Sequence, residues 1–487
     1  MEKWLASALD YIPRWLEFQM QMSEQPGCVI VIAHRGRVVL EQAFGHAHLG
    51  RGERLTPRHR FRVASHSKSF TAAGIMKLRE RGKLKLDDAV GQYVDRLHPR
   101  IARTTLSQLL SHSAGIVRDG KDSGQFSDRR PFLDADELRA DLLAPPVIEP
   151  NTRFKYSNHG YGLLGLVIEH VTGTPFLTWV KREVIATAGL RETYPDMPIP
   201  KSAPMATGHS GRLLLGRRVA IPGTYSTNAI APAAGIVSTG RDLALFFGQL
   251  SPSARNSMLS VASRREMIRW QWRNQNSSLE RYYGLGTISG SLAGWDWFGH
   301  SGGLQGYITR TSVIPERDLT VAVLTNAIDG WAGFWVDGAV QILRGFAQHG
   351  APSRKVRDWT GRWWSLWGAV DLVPMGNKVL TVGPGFINPF GDAGELEITG
   401  RDQGRFSLAE GFSSFGEPAW RVRDASGKVA EVWLASSKLV PAEKLSKEVR
   451  ARYGRQATTV VARRSLRRPT RRRDRSAAAA EVRKRAR

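Results

Sequence analysis

Cysteine is almost absent from this chain, which has one such residue, Cys28, among 487. A single cysteine excludes an intramolecular disulfide framework and a multi-cysteine zinc or iron–sulfur site. Its neighbours in "PGCVIVIAHRG" are apolar, so we expect a buried thiol in a strand rather than a nucleophile. No His, Asp or Glu group has the spacing of metal ligands, and we therefore expect neither a metal nor another cofactor.

Long apolar segments are also missing, because no run of about 18 apolar residues occurs. Residues 1–22 lack the basic, apolar and small-residue order of a secretory signal. Apolar residues recur there at helical spacing instead, at Leu5, Leu9, Ile12 and Leu16. This pattern predicts a helix that packs on the core of a cytoplasmic protein without a membrane span. A helix on the membrane surface is the alternative, and the acidic residues of the segment disfavour it.

Positive charge is abundant but unevenly distributed. The net charge is +26, and residues 441–487 carry 17 Lys and Arg against four Asp and Glu, which is half of the excess. From about residue 463 large apolar residues are scarce, so we expect disorder there. A solubilising tail is the simpler interpretation. Contact with nucleic acid or another polyanion is the alternative, disfavoured because no aromatic residue separates the arginines.

The strand and helix patterns favour two folded units, as does the length of the chain. Strand-like runs near the start ("CVIVIAHRGRVVLEQAFG") and near residue 320 ("RTSVIPERDLTVAVLTNA") enclose helical stretches, which indicates an α+β fold with both ends in one sheet. Short alternating runs with Gly-rich turns follow, and they predict a small antiparallel sandwich or barrel. We therefore expect an α+β domain at 1–350, an all-β domain at 351–440 and a basic, disordered tail at 441–487.

The stretch "FRVASHSKSF", residues 61–70, contains a pattern with catalytic chemistry. Ser65 and Lys68 stand three residues apart at the start of a predicted helix, so their side chains share one face. A serine hydroxyl becomes a nucleophile when a base takes its proton, and a lysine serves as that base if burial lowers its pKa. Because any helix surface produces this spacing often, the pair needs support from elsewhere in the chain.

Two later stretches provide that support. "FKYSNHGYG" places Tyr156 and Asn158 two residues apart in a predicted loop before a helix. "FGHSGGLQGY" places His300, Gly302 and Gly303 at a strand edge, where glycine lets a ligand approach the backbone closely. The chain thus offers a tyrosine, an amide and a glycine-rich strand in addition to the serine and lysine.

The order of these motifs, S-x-x-K, then Y-x-N, then H-x-G, resembles the serine β-lactamase and penicillin-binding protein superfamily. The resemblance is greatest to its class C β-lactamase-like branch, which includes D-alanyl-D-alanine carboxypeptidases, D-aminopeptidases and β-lactamase-fold esterases. "TLSQLLSHSAGI" and "APAAGIVSTGRDLALF" add to a resemblance that covers residues 20–345. It implies a β-lactamase-like domain, in which helices flank an antiparallel sheet beside an all-helical region, followed by a small antiparallel β-barrel or sandwich.

The same resemblance implies a role for each motif residue. Ser65 is the nucleophile that forms an acyl-enzyme, and Lys68 is its proton acceptor or the charge that keeps its neighbours deprotonated. Tyr156 exchanges protons with the nucleophile and the leaving group, and Asn158 hydrogen-bonds Lys68 and a substrate carbonyl. The backbone N–H groups of Ser65 and Gly303 form the oxyanion hole. The choice of general base between Lys68 and Tyr156 stays open, because a coupled pair titrates jointly.

The third motif departs from the pattern of the antibiotic-hydrolysing enzymes, which usually have lysine where this chain has His300. A histidine near its unperturbed pKa of about 6.5 is largely neutral at pH 7. Strong recognition of a substrate carboxylate is therefore not expected. Of the other histidines, we expect His112 to be a structural, hydrogen-bonded loop residue outside the catalytic set, and we assign His159 no role.

These observations predict a serine hydrolase that acts through Ser65 on a small amide or ester. We expect D-amino-acid peptides or amides and carboxylic esters as substrates ahead of β-lactams, whose hydrolysis should be weak. One alternative is a penicillin-binding-like sensor or scaffold that is acylated without efficient turnover. A polyanion-binding protein that acts through its basic tail is the other. Neither the substrate nor the oligomeric state follows from the sequence.

Overall fold

A computed structural model of the protein describes residues 1–213, 215–275, 277–409 and 414–465, with side chains described to residue 454. The chain forms two compact units. The first comprises residues 1–354 and the loop 383–393, and the second comprises residues 355–382 and the chain from residue 394 onward. The sequence predicted that the domains end at residues 350 and 440, so it placed the loop 383–393 in the second domain. In the structure this loop lies in the first unit. Trp15 and Gln19 hold it there, because their side chains donate hydrogen bonds to the carbonyls of Phe386 and Pro384 at 3.1 and 2.7 Å.

The helices of the first unit begin with the predicted N-terminal packing helix, in which Leu5, Leu9, Ile12 and Leu16 are buried as expected. In chain order they are α1 (Lys3–Ser23), α2 (Ser67–Glu80), α3 (Pro99–Ala102), α4 (Leu106–Leu110), α5 (Ala135–Asp141), α6 (Asn158–Thr172), α7 (Phe176–Val180), α8 (Ala231–Ala234), α9 (Gly240–Gln249), α10 (Val261–Ile268) and α11 (Ala332–His349). Gly173 ends α6 in the left-handed conformation that glycine adopts without strain.

A nine-stranded sheet forms the centre of this unit, in the order β3-β2-β1-β13-β12-β11-β10-β9-β8. The strands are β1 (Gly27–His34), β2 (Arg37–His48), β3 (Glu53–Arg54), β8 (Trp272–Arg273), β9 (Tyr282–Tyr283), β10 (Ile288–Leu292), β11 (Trp295–Leu304), β12 (Tyr307–Ile314) and β13 (Leu319–Thr325); β4 (Phe61–Arg62) pairs with β7 (Val237–Ser238), and β5 (Gly208–His209) with β6 (Ala220–Ile221). All the pairs in the nine-stranded sheet are antiparallel, and β1 from the start of the chain pairs with β13. The prediction that both ends of the domain share one sheet is confirmed.

Helices cover the central strands, which explains their unbroken apolar sequence. In β1 every residue from Gly27 to Ala33 is buried. Gly240, the first residue of α9, lies against Val29 and Val31, and α11 packs on β12 and β13. Cys28 is fully buried, as predicted, and burial raises the pKa of its thiol far above the ordinary value.

The second unit is a nearly closed antiparallel barrel. Its eight strands follow one another in chain order: β14 (Gly361–Ser365), β15 (Gly368–Met375), β16 (Lys378–Val382), β17 (Gly394–Ile398), β18 (Gln403–Leu408), β19 (Pro418–Arg423), β20 (Val429–Leu434) and β21 (Ser437–Leu439). Trp364 at the first strand and Val440 after the last exchange two backbone hydrogen bonds of 2.8 and 2.9 Å, which joins the two edges. The predicted fold class, a β-lactamase-like α+β domain followed by a small antiparallel β-domain, is confirmed.

The start of the basic tail is helical, and the prediction of disorder from residue 441 is wrong for this part. Helix α12 spans Ala442–Ser465, and Leu445, Val449 and Tyr453 line a groove that β14 and its neighbours also border. Apolar residues four apart share one face of a helix. Packing of this face on the barrel therefore explains why the segment is helical. Residues 466–487, for which disorder was also predicted and polyanion contact was the alternative, lie outside the described residues.

Within the described ranges no single helix is long and apolar enough to cross a membrane. The pair Asn158–Thr172 and Phe176–Ala186 satisfies the length and composition criteria together, with a bend of 81° between its halves.

Candidate active site

Ser65 and Lys68 lie at the entry to helix α2, close to where the sequence predicts a helix to start. Ser65 is in a single 3-10 turn, Ala64–His66, that leads directly into α2, and Lys68 is in the first turn of α2. Ala64 has a φ of 49°, a left-handed value that is uncommon for a residue with a side chain. The Lys68 Nζ atom lies 3.1 Å from the Ser65 Oγ atom. The two groups are therefore in hydrogen-bond contact.

The Lys68 amine is fully buried and has two further partners. Its Nζ atom donates to the side-chain oxygen of Asn158 at 2.7 Å and to the backbone carbonyl of Ala233 at 3.0 Å. Burial disfavours the charged amine and lowers the pKa of Lys68 well below its ordinary value, against the opposing attraction of Asp119. The residue has the chemical character of a base rather than of a fixed cation.

Tyr156 approaches Ser65 from a loop that precedes α6. Its hydroxyl donates a hydrogen bond of 2.7 Å to the Ser65 Oγ atom. Burial raises the pKa of the Tyr156 phenol well above its ordinary value, so the group holds its proton. The Lys68 Nζ atom also lies 4.7 Å from the centre of the Tyr156 ring. The Ser65 hydroxyl is thus in contact with a buried amine and a protonated phenol.

Asn158 is oriented by an aspartate that sequence reasoning missed. The Asn158 Nδ2 atom donates a hydrogen bond of 2.6 Å to the Asp119 carboxylate. A carboxylate only accepts hydrogen bonds, so this contact turns the amide oxygen of Asn158 toward Lys68. Asp119 lies in the loop after α4, 39 residues before Asn158, and it belongs to no recognisable motif. Only the fold brings the two residues together.

The predicted third motif lies on β11, beside the serine-bearing turn. A β-carbon on Gly302 would approach the backbone oxygen of Val63 to 2.1 Å, so the strand and the turn touch at a position that only glycine allows. Gly303 is exposed on the same strand. The glycines were predicted to permit a close approach to the backbone, and at Gly302 the approaching group is the chain that carries Ser65.

His300 is buried, with both ring nitrogens engaged. Its Nδ1 atom lies 2.7 Å from the Ser301 carbonyl, which can only accept, and its Nε2 atom lies 3.0 Å from the Tyr283 hydroxyl. Burial lowers the pKa of His300 well below its ordinary value, and electrostatic interaction with His66 and Lys68 adds to this effect. The sequence predicts a largely neutral histidine here, and the buried contacts are consistent with it. A charge change near the unperturbed pKa is therefore not expected.

His112 and His159 are also buried. His112 accepts a hydrogen bond of 3.1 Å from the backbone N–H of Ser157, and its ring lies 4.3 Å from that of Tyr156, as expected of a structural loop residue. His159 lies 3.0 Å from a carboxylate oxygen of Asp141. His112 therefore supports Tyr156 by packing, and His159 is held by Asp141.

The assembled groups suit acyl transfer. A hydroxyl beside a base and a proton donor can attack a carbonyl carbon and pass its proton on. Among the described residues no group of three or more His, Cys, Asp or Glu side chains is placed to hold a metal ion.

Comparison with known proteins supports this interpretation. A family model described as Beta-lactamase matches residues 13–332, well over half of the chain. Protein flp of Staphylococcus aureus (strain COL) is 24% identical over 324 residues, which cover 64% of this chain and 61% of that protein. This chain thus spans less than two thirds of the length of that curated relative. The resemblance inferred from the three motifs is confirmed.

Solved structures match over a larger share of their length. The octameric penicillin-binding protein homologue from Pyrococcus abyssi is similar with a TM-score of 0.63 and 25% identity, over 89% of this chain and 99% of that one. A D-stereospecific amidohydrolase from Streptomyces sp. is similar with a TM-score of 0.56 and 25% identity, over 68% of this chain and 97% of that one. The first similarity, over 89% of this chain, extends beyond the first unit.

Proposed function

This chain belongs to the Beta-lactamase family, and from that premise we propose that it forms an acyl-enzyme on Ser65 and cleaves a small D-amino-acid amide or ester. The family and its neighbours support serine hydrolase activity in general. The nucleophile, the roles of its partners and the substrate class are our proposal.

One observation carries the proposal. The Ser65 Oγ atom lies 3.1 Å from the Lys68 amine and 2.7 Å from the Tyr156 hydroxyl. Ser67 and Ser69 in the same stretch instead donate hydrogen bonds of 2.6 Å to the backbone carbonyls of Ala64 and Gly286. Ser65 is therefore the one of these three serines that has a base and a proton donor beside it.

We assign the general base to Lys68. A neutral amine has two N–H donors and one lone pair. The two donors match the oxygens of Asn158 and Ala233, which can only accept, and the lone pair then faces the Ser65 hydroxyl. Tyr156 holds its proton because burial raises the pKa of its phenol, so it suits proton donation better than proton removal.

In the proposed acylation step, the Ser65 oxygen forms a bond to the substrate carbonyl carbon while its proton passes to Lys68. The carbonyl oxygen gains the negative charge, and the backbone N–H groups of Ser65 and Gly303 stabilise it. The bond to the amine or alcohol then breaks, and Tyr156 donates a proton to that leaving group. Lys68 returns the proton to Tyr156, and an acyl-enzyme remains. In deacylation a water molecule forms a bond to the acyl carbon while its proton passes to Lys68. The bond to the Ser65 oxygen then breaks, Lys68 returns the proton to that oxygen, and the acid is released.

The substrate assignment depends on His300 and on a neighbour. A buried, neutral histidine offers no fixed positive charge to a carboxylate, which favours esters and amides over β-lactams. The Streptomyces protein with the similar fold is described as a D-stereospecific amidohydrolase. The first point favours a substrate without a carboxylate at this position, and the second favours a D-amino-acid derivative.

Turnover of a substrate panel tests the proposal. The panel comprises nitrocefin, short p-nitrophenyl esters, and D- and L-amino-acid p-nitroanilides, each assayed with the Ser65→Ala protein as the blank. We expect steady-state release from esters or D-anilides ahead of nitrocefin. A single burst without steady state would favour the sensor alternative. Equal rates for the protein and the blank on every substrate would refute the proposed function.

A further inference from the structure

The turn between β14 and β15 carries two exposed apolar side chains. Ser365 pairs with Gly368 across the two strands, so Leu366 and Trp367 form a two-residue turn. Turns of this kind usually contain Gly, Asn, Asp or Ser, whose side chains suit contact with water. Here Leu366 is 63% exposed and Trp367 is 100% exposed. We call these two residues the hairpin tip, and neither belongs to the buried core of the barrel.

The hairpin tip is part of a larger apolar surface on the same unit. Both of its residues border the groove of about 360 Å³ that α12 forms with the barrel, and Val449 and Tyr453 of α12 also line this groove. Tyr453 is itself exposed. Single exposed apolar residues are ordinary on a protein surface, whereas a contiguous apolar patch indicates a binding surface.

Positive charge accompanies this apolar surface. Lys438 and Arg452 line the same groove, together with one acidic residue, Glu448. Lys438 is paired with Glu431 at 2.7 Å, and Arg452 is exposed. The chain then continues into residues 455–487, which carry 13 Lys and Arg against two Asp and Glu. The apolar surface therefore adjoins a strongly basic part of the chain.

Charge and apolar character together decide which partner fits. A second copy of this chain, or residues 455–487 themselves, would bring like charge to Arg452. A nucleic acid satisfies the positive charge but offers no apolar interior for Leu366. An anionic lipid bilayer offers both, because Trp and Tyr rings favour the interface between membrane and water, and basic residues are attracted to anionic headgroups.

We propose that this surface of the second unit binds an anionic lipid bilayer. The hairpin tip inserts among the lipid headgroups, while Arg452 and the basic chain that follows it contact the charged surface. The contact is peripheral, because only the side chains of a turn enter the bilayer. It does not depend on the nucleophile, so Ser65→Ala should bind vesicles as the wild type does, and failure of the proposed function would leave this inference intact.

The first test is co-sedimentation of the full chain with phosphatidylcholine vesicles that either contain or lack phosphatidylglycerol. We expect binding to the vesicles with phosphatidylglycerol and little binding to phosphatidylcholine alone, and added salt should weaken it. Leu366→Ser combined with Trp367→Ser should weaken binding by about tenfold to a hundredfold, because two apolar side chains no longer leave water. Equal binding by this variant and the wild type, or no binding by the wild type, would overturn the inference.

Two exposed apolar residues of the first unit provide the matched control. Leu143 is 58% exposed and Trp270 is 53% exposed, so Leu143→Ser combined with Trp270→Ser removes the same side-chain types elsewhere on the surface. This control should bind vesicles as the wild type does. An equal loss of binding in the control would mean that apolar side chains adsorb without regard to their position, and it would contradict the role of the hairpin tip.

A separate pair of variants tests the contribution of charge. Arg450→Gln combined with Arg452→Gln removes two exposed cations of α12 and should weaken binding by about tenfold or more. Lys83→Gln combined with Lys85→Gln, at exposed lysines of the first unit, removes the same charge and should retain binding. Equal affinities for the two double variants would contradict an oriented contact through α12.

A fluorescent probe at the hairpin tip distinguishes insertion from adsorption. Cys28 is fully buried, so a thiol-reactive nitrobenzoxadiazole dye should label Leu366→Cys at the new position alone. Its emission should rise and shift to shorter wavelengths when phosphatidylglycerol vesicles are added, and the same dye on Leu143→Cys should not respond. An unchanged spectrum at residue 366 in the vesicle-bound protein, or binding to DNA in place of vesicles, would refute the inference.

Discussion

Asp119 accepts a hydrogen bond of 2.6 Å from the Asn158 side chain, and this contact decides that the oxygen of Asn158, not its nitrogen, faces Lys68. An N–H group turned toward Lys68 would oppose the N–H donors of the amine. The aspartate therefore acts on Ser65 through two intermediaries. It is a positioning residue for the base.

Replacement of Asp119 by asparagine should impair this arrangement. The variant keeps the size of the side chain but removes the charge, and the two amides can then pair in either orientation. We expect kcat to fall by about tenfold to a hundredfold, because misplaced catalytic groups cost rate steeply, with little change in KM. Asp136→Asn, at an aspartate whose side chain is 93% exposed, is the matched control. Equal kcat in both variants and the wild type would contradict the role of Asp119.

The pH dependence of kcat/KM should show one rising limb from Lys68. Burial lowers the pKa of this lysine well below the ordinary value of 10.5. The base acts in its neutral form, so activity is lost as the pH falls through that lowered pKa and is present above it. Lys68→Arg should be inactive across the accessible range, since a guanidinium stays protonated.

A second variant tests whether the rising limb of the pH profile belongs to Lys68 or to His300. The pKa of His300 is also lowered well below its ordinary value of 6.5, so His300→Asn should leave the midpoint of the limb in place even if the rate changes. Disappearance of the limb in His300→Asn would assign the titration to the histidine and contradict the proposed base.

Tyr156→Phe should lose activity while the fold persists. The variant removes the hydroxyl that donates 2.7 Å to Ser65 and keeps the ring that packs on His112. We expect kcat to fall by about 10²-fold to 10⁴-fold, as for loss of a general acid. Tyr93→Phe removes a hydroxyl that donates to Asp88 instead and should retain activity. Wild-type turnover in Tyr156→Phe would refute its role as proton donor.

Gly302→Ala tests the contact between β11 and the serine-bearing turn. The added methyl group would lie 2.1 Å from the Val63 carbonyl oxygen, and relief of this overlap must move the strand or the turn. We expect a loss of about 1–3 kcal/mol in the free energy of unfolding together with a large fall in kcat. Gly333→Ala meets no atom within 4 Å and is the control. Unchanged stability in Gly302→Ala would show that this approach is not tight.

The sequence predicted those parts of the fold and the site that depend on local patterns. Ser65 and Lys68 are three residues apart, and Tyr156 and Asn158 are two apart. Each pair could therefore be recognised from its spacing in the sequence. Their order along the chain resembled a family, and strand-like runs near both ends of the domain predicted the sheet that joins β1 to β13. The strand pattern of the second unit was equally local.

Contacts between residues that are distant in sequence could not be predicted from local patterns. Asp119 meets Asn158 only because a loop folds back on α6, and no spacing rule marks it. The loop 383–393 lies in the first unit because Trp15 and Gln19 bind its carbonyls. The buried pairing of His300 with Tyr283 depends on the registers of neighbouring strands, and so its lowered pKa could not be foreseen.

The most direct test of the account is the site of acylation. The protein is treated with a fluorophosphonate probe, and the labelled residue is located by peptide mass spectrometry in the wild type and in Ser65→Ala. We predict one probe per chain, on Ser65, with no label on Ser67 or Ser69, whose hydroxyls are engaged by carbonyls, and none on Ser65→Ala. Label on another residue, or equal labelling of the folded Ser65→Ala protein, would contradict the central claim that Ser65 is the nucleophile.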